Sequence, residues 1–145
     1  MLKPIAFVPC EKIIISQEEN IASLINILES ISLSIPESEA SSLPENAVFP
    51  FNWCIYALWH RESDESEKYE HRVELGLPDG RIALQGEMTF EMNPEHRNYR
   101  TIINIGVFPV LPAGEYAIKL FLRKAGGENT WEEVAQYPIY VERPS

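Results

Sequence analysis

The three histidines, His60, His71 and His96, are the side chains best suited to bind a metal or move a proton near neutral pH. No pair of them has the spacing His-x-His or His-x-x-x-His, and Cys10 and Cys54 form no Cys-x-x-Cys motif. A zinc site needs three or four converging ligands. One built on His60 and His71 would also need their two segments to pair in the correct register. We therefore predict no metal site.

Motifs that carry catalysis or bind phosphate are also missing from the sequence. It has no Gly-x-Ser-x-Gly, no P-loop and no Gly-x-Gly-x-x-Gly. Asp64, Glu65, Glu67 and Glu70 form an acidic stretch, but their spacing matches no calcium-binding loop and Lys68 lies among them. A solvated loop is the simpler interpretation. We predict no catalytic residue and no cofactor.

Arginine and aromatic side chains offer a second kind of site. Arg97, Tyr99 and Arg100 lie close together in the sequence, and Trp131 begins a later apolar segment. Such side chains are enriched at protein-binding surfaces. We predict a candidate binding patch of these four residues. The alternative is that their rings only cover the ends of the fold.

Strands must position these residues, because apolar and polar side chains alternate along most of the chain. Residues 51–61, with Trp53 and Trp59, are apolar on both faces and predict a central strand. Turn signals such as Pro78-Asp79-Gly80 separate the alternating segments. The predicted strands cover residues 10–16, 21–35, 51–61, 69–77, 82–92, 99–108, 115–123 and 131–141.

Residues 21–35 fit two patterns. Their isoleucines and leucines alternate as in one long strand, but a second subset has helical spacing, and Ser16-Gln17-Glu18-Glu19 could be a helix-capping box. Isoleucine favours strands. We predict a strand here and keep a helix as the alternative.

A corner of the fold is indicated just before the strand at residues 115–123. Pro112 and Gly114 precede Tyr116, as in immunoglobulin-like sandwiches, where a tyrosine hydroxyl bonds back to the backbone. Pro138 cannot donate a ladder hydrogen bond, so its strand should be an edge or carry a bulge.

About eight strands, with turn signals at intervals of about ten residues, predict the fold class. We expect an all-β, immunoglobulin-like two-sheet antiparallel β-sandwich, as a single domain over residues 1–145. Residues 36–50 are rich in Ser, Glu and Pro and predict a long loop that crosses between the sheets.

The charge balance limits the classes of partner that the protein can bind. Twelve basic against 22 acidic residues give a net charge of −10, which argues against nucleic acid and against an anionic membrane surface. No apolar run reaches the ~20 residues of a membrane span, and the first residues do not form a signal peptide.

We predict a cytoplasmic protein in which Cys10 and Cys54 are free and buried, with a bridge between them as the alternative.

Several stretches together resemble a bacterial family of small, uncharacterised, single-domain proteins. Members begin with a Cys-acidic strand and end with a Gly-x-Tyr strand and a Pro-x-x-Val strand; Asn26 stands where their pattern usually has Gly. The resemblance implies a strand in residues 21–35 and brings no activity. The stretches are Phe7-Val8-Pro9-Cys10-Glu11-Lys12, residues 22–31, Leu77-Pro78-Asp79-Gly80, Gly114-Glu115-Tyr116 and Tyr137-Pro138-Ile139-Tyr140-Val141.

The sequence favours a non-enzymatic module that interacts with another protein. The contact surface would be the strand containing Pro138 or the loop at residues 36–50. One alternative is a carbohydrate-active or other carboxylate-based enzyme domain that uses Glu74, Glu87 and Glu91. The other is a homo-oligomeric structural subunit. The sequence does not predict the oligomeric state.

Overall fold

Alternating side chains produce nine strands and one short helix in the part of the chain that the structure, a computed structural model, describes: residues 2–62, 67–93, 95–110, 112–126 and 130–143. The elements are β1 (Leu2–Ile15), β2 (Ala22–Ile27), β3 (Ser30–Ser32), α1 (Glu37–Ala40), β4 (Val48–Arg61), β5 (Glu67–Gly76), β6 (Ile82–Met92), β7 (Asn98–Pro109), β8 (Gly114–Lys124) and β9 (Glu132–Glu142).

The strands form two sheets that pack face to face. Sheet A has the order β2-β1-β4-β7, and sheet B has the order β3-β9-β8-β5-β6. Neighbouring strands are antiparallel except β3 and β9, which are parallel. The predicted all-β two-sheet sandwich is confirmed, with nine strands described where about eight were expected. The core lies between the sheets and includes Trp53 and Trp59, as predicted for the central strand, which is β4.

The single strand predicted for residues 21–35 is wrong, and so is the helix. The segment forms two short strands in different sheets, since β2 pairs with β1 in sheet A and β3 pairs with β9 in sheet B. Near the end of β2, Asn26 has φ 56°, a left-handed conformation that asparagine tolerates better than most residues. The change of sheet explains why its apolar residues satisfy no single periodicity.

The predicted corner is present at the start of β8. The Tyr116 hydroxyl donates to the carbonyl oxygen of Pro112 at 2.6 Å, across a turn in which Gly114 has φ 135°. The side chain is fully buried, and this burial raises the pKa of Tyr116 to about 12. The hydroxyl is therefore a neutral donor at neutral pH.

Replacing Tyr116 with Phe should remove this bond and little else. We expect the free energy of unfolding to fall by about 1 kcal/mol, because the partly buried carbonyl of Pro112 loses its partner. Urea denaturation measures the change. Tyr140→Phe is the matched control, since Tyr140 is 54% exposed. Equal losses in the two variants would contradict a structural role for the corner.

The segment 36–50 crosses from β3 in sheet B to β4 in sheet A, as predicted, and contains α1. It is anchored at several points: Ala40 is buried, the amide of Val110 donates to the carbonyl of Ala47 at 3.0 Å, and Arg81 pairs with Glu45 at 3.2 Å. The loop therefore closes one end of the sandwich.

The strand that contains Pro138, β9, carries the expected irregularity. Its register against β8 shifts where Leu120 pairs with Ala135 and the next residue, Phe121, pairs with Glu133.

Candidate functional site

The four residues of the predicted binding patch do not form one surface. Tyr99 pairs with Trp59, faces the core and stacks on Phe90 with ring centroids 5.4 Å apart. Arg100, the next residue, faces outward from sheet A, because side chains alternate along a strand. Arg97 precedes β7, and its carbonyl accepts a hydrogen bond from the Arg61 amide at 3.2 Å.

Trp131 lies elsewhere, against the outer face of sheet B. Its ring is held between two guanidinium groups, with Arg72 at 4.6 Å and Arg123 at 4.1 Å from the ring centroid. Arg72 and Arg123 belong to the neighbouring strands β5 and β8, so the indole covers both. This cation–π packing accounts for a partly buried tryptophan without a ligand.

The carboxylates proposed for enzyme chemistry are mostly engaged. Arg72 donates two hydrogen bonds to Glu87, at 2.9 and 2.7 Å, and lies 3.8 Å from Glu74. A general acid and base need separate environments that push their pKa values apart. Here one guanidinium group pairs with both carboxylates, so they share one environment. Glu91 is exposed on β6, opposite Lys68 of β5.

The histidines lie in three different settings. His60 Nδ1 is 2.8 Å from the amide oxygen of Asn98, and His96 lies near the Tyr99 ring. His71 is 1% exposed, faces the core, and its ring nitrogens have no hydrogen-bond partner. Burial lowers the pKa of His71 to about 4. Among the described residues, no cluster of His, Cys, Asp and Glu could hold a metal ion; Asp64 and Glu65 lie outside those residues.

Cys10 and Cys54 are free and buried, as predicted. They face each other across β1 and β4, with their sulfur atoms 3.7 Å apart. Burial raises the pKa of Cys10 to about 12 and also raises the pKa of Cys54. Both are therefore protonated thiols at neutral pH, and a nucleophilic role has no support.

The side of the sandwich at β6 and β7 is incompletely covered. β2 pairs only with residues 10–15 of β1, beyond most of the part that pairs with β4, so it does not widen sheet A over the core. Sheet A therefore ends at β7, whereas sheet B continues from β5 to β6. At one end Phe90 and Tyr99 close the gap between these edges. Toward the other end the gap stays open.

This opening, which we call the notch, is a cleft of about 310 Å³ that reaches core residues. Its walls are the aliphatic side chains of Leu84, Ile103 and Ile105 together with two glycines, Gly86 and Gly106. The amides of Gln85 and Asn104 stand at the rim, and no charged residue lines it. In a chain with a net charge of −10, such a neutral cleft fits an uncharged apolar occupant.

Gly86 and Gly106 contribute no side chain to the lining of the notch. A Cβ added at Gly86 would meet Ile103 Cγ2 at 3.8 Å, an ordinary contact, and one at Gly106 would meet only the Asn52 amide oxygen at 3.8 Å. Neither position needs glycine for steric reasons. Isolated glycines inside strands often mark sites that another backbone approaches closely. This signal was readable in the sequence, but its meaning depends on which strands lie at the edges of the two sheets.

The hairpin of residues 11–27, which we call the arm, is a second feature that the sequence did not indicate. Within the described residues, its strands pair only with each other beyond Cys10. It exposes four isoleucines: Ile14 by 46%, Ile15 by 40%, Ile21 by 55% and Ile27 by 50%. Exposed aliphatic residues concentrated on one element indicate an interaction surface.

The arm folds back over the outer face of sheet A. Arg100 of β7 donates to the side chain and carbonyl of Asn20 at the arm's tip, at 3.2 and 2.9 Å. A straight continuation of β1 would place the tip roughly 30 Å from Arg100, at about 3.3 Å per residue. The fold-back also accounts for the burial of Cys54 and Tyr56, which face outward from β4.

Comparisons with known proteins leave the family open. No protein-family model and no curated protein matches the chain. The resemblance to a small bacterial family therefore stays a prediction. The one helix in the described residues has four residues, and none there could cross a membrane.

Proposed function

We propose that the protein is a non-enzymatic interaction module that takes an extended segment of polypeptide into the notch. The observation that carries this proposal is the free edge of β7 beside an apolar cleft. Sheet A ends at β7 and sheet B ends at β6, and the cleft between these two edge strands has an apolar, uncharged lining. A strand added to β7 would extend sheet A along the open side of the notch.

Strand addition suits both parts of the site. The free edge of β7 offers backbone N–H and C=O groups, which give affinity for any extended chain. Alternate side chains of the incoming segment would point into the notch, against Leu84 and Ile105. Specificity then comes from their size and lack of charge. A segment with small or aliphatic residues at every second position fits this description.

The edges of sheet B are less suited to the same role. β6 carries Glu87 and Glu91, and the part of β9 that β3 leaves unpaired carries Glu132, Glu133 and Pro138. Charges and proline on an edge strand oppose pairing with another chain. Residues 101–107 of β7 contain neither a charge nor a proline. We therefore propose β7 as the contact surface, in place of the strand containing Pro138 or the loop at residues 36–50 that the sequence favoured.

Filling the notch tests the proposal. Gly86→Leu places a side chain in the cleft without a backbone clash. Thr89→Leu, on the exposed face of the same strand, is the matched control. In capture experiments from native cell extract, we expect Gly86→Leu to lose partner proteins that the wild type and Thr89→Leu both retain. The loss should be about tenfold or more, as for a central contact.

A second measurement locates the contact. Hydrogen exchange of the complex should show new protection in residues 103–107 of β7, since these amides would gain partners. Retention of the partner by a folded Gly86→Leu chain would overturn the proposal. We also propose a cytoplasmic location, which the two free thiols support.

A further inference from the structure

We propose that the segment that occupies the notch is β2 of the arm of a second copy of this chain. This inference rests on the proposed function and names the partner of the same site. Docking β2 against β7 would continue sheet A from one copy into the next. Both the notch and the arm are present on every chain, so the contact can repeat.

The two edge strands of sheet A, β2 and β7, both lack the features that prevent pairing with another molecule. β2, with the sequence Ala-Ser-Leu-Ile-Asn-Ile, contains no charge and no proline, and residues 101–107 of β7 contain none either. Natural edge strands usually carry charges, prolines or bulges that prevent pairing between molecules. The uncharged lining of the notch likewise disfavours a charged occupant. An unprotected edge at each end of one sheet fits a pair of complementary surfaces.

The arm presents a free strand edge. Among the described residues, its strands pair only with each other beyond Cys10, so one edge of β2 has no strand beside it. The arm lies over the outer face of its own sheet A with its tip bonded to Arg100, and Ile21 and Ile27 remain about half exposed there.

The dimensions also agree. The six residues of β2 span roughly 20 Å at about 3.3 Å per residue, comparable to the uncharged part of β7. The exposed Ile27, the last residue of β2, and Ile21, which precedes β2, supply apolar side chains at the two ends of the docked strand. In this arrangement the arm of one copy binds the notch of the next. The contact is head-to-tail, which produces a ring or a filament.

Two lysine substitutions separate the two halves of the contact. Ile27→Lys puts a charge beside the edge of β2 at a position that is 50% exposed, and Gly106→Lys puts one on the rim of the notch. Ile5→Lys is the control, because Ile5 is also 50% exposed but lies outside both surfaces. Circular dichroism confirms that each variant is folded.

Light scattering at low and high protein concentration gives the decisive readout. We expect the wild type and Ile5→Lys to form concentration-dependent assemblies at moderate salt, which screens the net negative charge. Ile27→Lys and Gly106→Lys should each remain monomeric, with association weakened about tenfold or more. Mixed together they should form a dimer and nothing larger, because Gly106→Lys keeps an intact arm and Ile27→Lys keeps an intact notch.

A wild type that stays monomeric, or a mixture that does not dimerise, would overturn this inference. Neither result would touch the proposed function, because Ile27→Lys leaves the notch intact. Capture of a different protein by Ile27→Lys but not by Gly86→Leu would then identify the notch as a site for another partner. Loss of specific capture together with a monomeric wild type would reject both proposals.

Discussion

Replacing His71 with Leu is expected to remove a destabilisation of about 3 kcal/mol that the wild type suffers between pH 6.5 and 4. His71 is fully buried, and burial lowers its pKa from 6.5 to about 4. Above pH 6.5 the ring is neutral in both the folded and unfolded chain. As the pH falls below 6.5, His71 binds a proton in the unfolded chain but not in the folded chain, so the free energy of unfolding decreases.

The destabilisation grows by about 1.4 kcal/mol per pH unit until the folded ring also protonates near pH 4. Burial alone produces the shift. The side chains around the ring are apolar and aromatic, with Trp59 and Phe90 at 5.8 and 5.7 Å. At neutral pH we also expect His71→Leu to be the more stable chain, since two buried ring nitrogens without partners are removed.

Urea denaturation at a series of pH values between 7 and 4 measures this effect as the difference between wild type and variant. Carboxylates that titrate in the same range contribute to both chains and cancel. His60→Gln is the control, because His60 lies at the surface and bonds to Asn98. A parallel decline of wild type and His71→Leu with falling pH would mean that the His71 ring reaches water or a partner in solution.

Local patterns predicted most of the fold because the responsible physics is local. Alternation along residues 69–77 and 82–92 fixes which face is buried, and the hairpin of β5 and β6 follows. The Tyr116 corner was predictable from Pro112 and Gly114, since a tight turn before a buried tyrosine leaves few places for its hydroxyl. The change of sheet between β2 and β3 was not predictable by alternation, because it depends on the pairing of β3 with β9 and follows a positive φ at Asn26.

The candidate site was harder to predict, and two errors show why. Tyr99 and Arg100 are neighbours in sequence, yet neighbours on a strand face opposite sides, so they could not share a surface. The notch lies between β7 and β6, the edge strands of the two sheets, and strand order is a property of the whole fold. Only Gly86 and Gly106 marked it locally, as isolated glycines in otherwise apolar strands.

Two chemically identical substitutions should have very different effects if the sandwich is closed at its centre and open at the notch. Leu120 of β8 is fully buried and lies between Val73 of β5 and Ala135 of β9. Leu120→Ala is expected to lower the free energy of unfolding by about 3–4 kcal/mol, because the cavity it leaves is enclosed and cannot collapse. Leu84→Ala, on the wall of the notch, should lower it by only about 1 kcal/mol, since water already reaches that side chain.

Denaturation of both variants at low protein concentration, where the proposed assembly would be dissociated, gives the comparison. Repeating it at high concentration adds a test of occupancy. A strand docked in the notch would bury Leu84, so the loss caused by Leu84→Ala should then grow toward that of Leu120→Ala. Equal losses at low concentration would mean that the notch is already closed in the isolated chain, and strand addition at β7 would lose its physical basis.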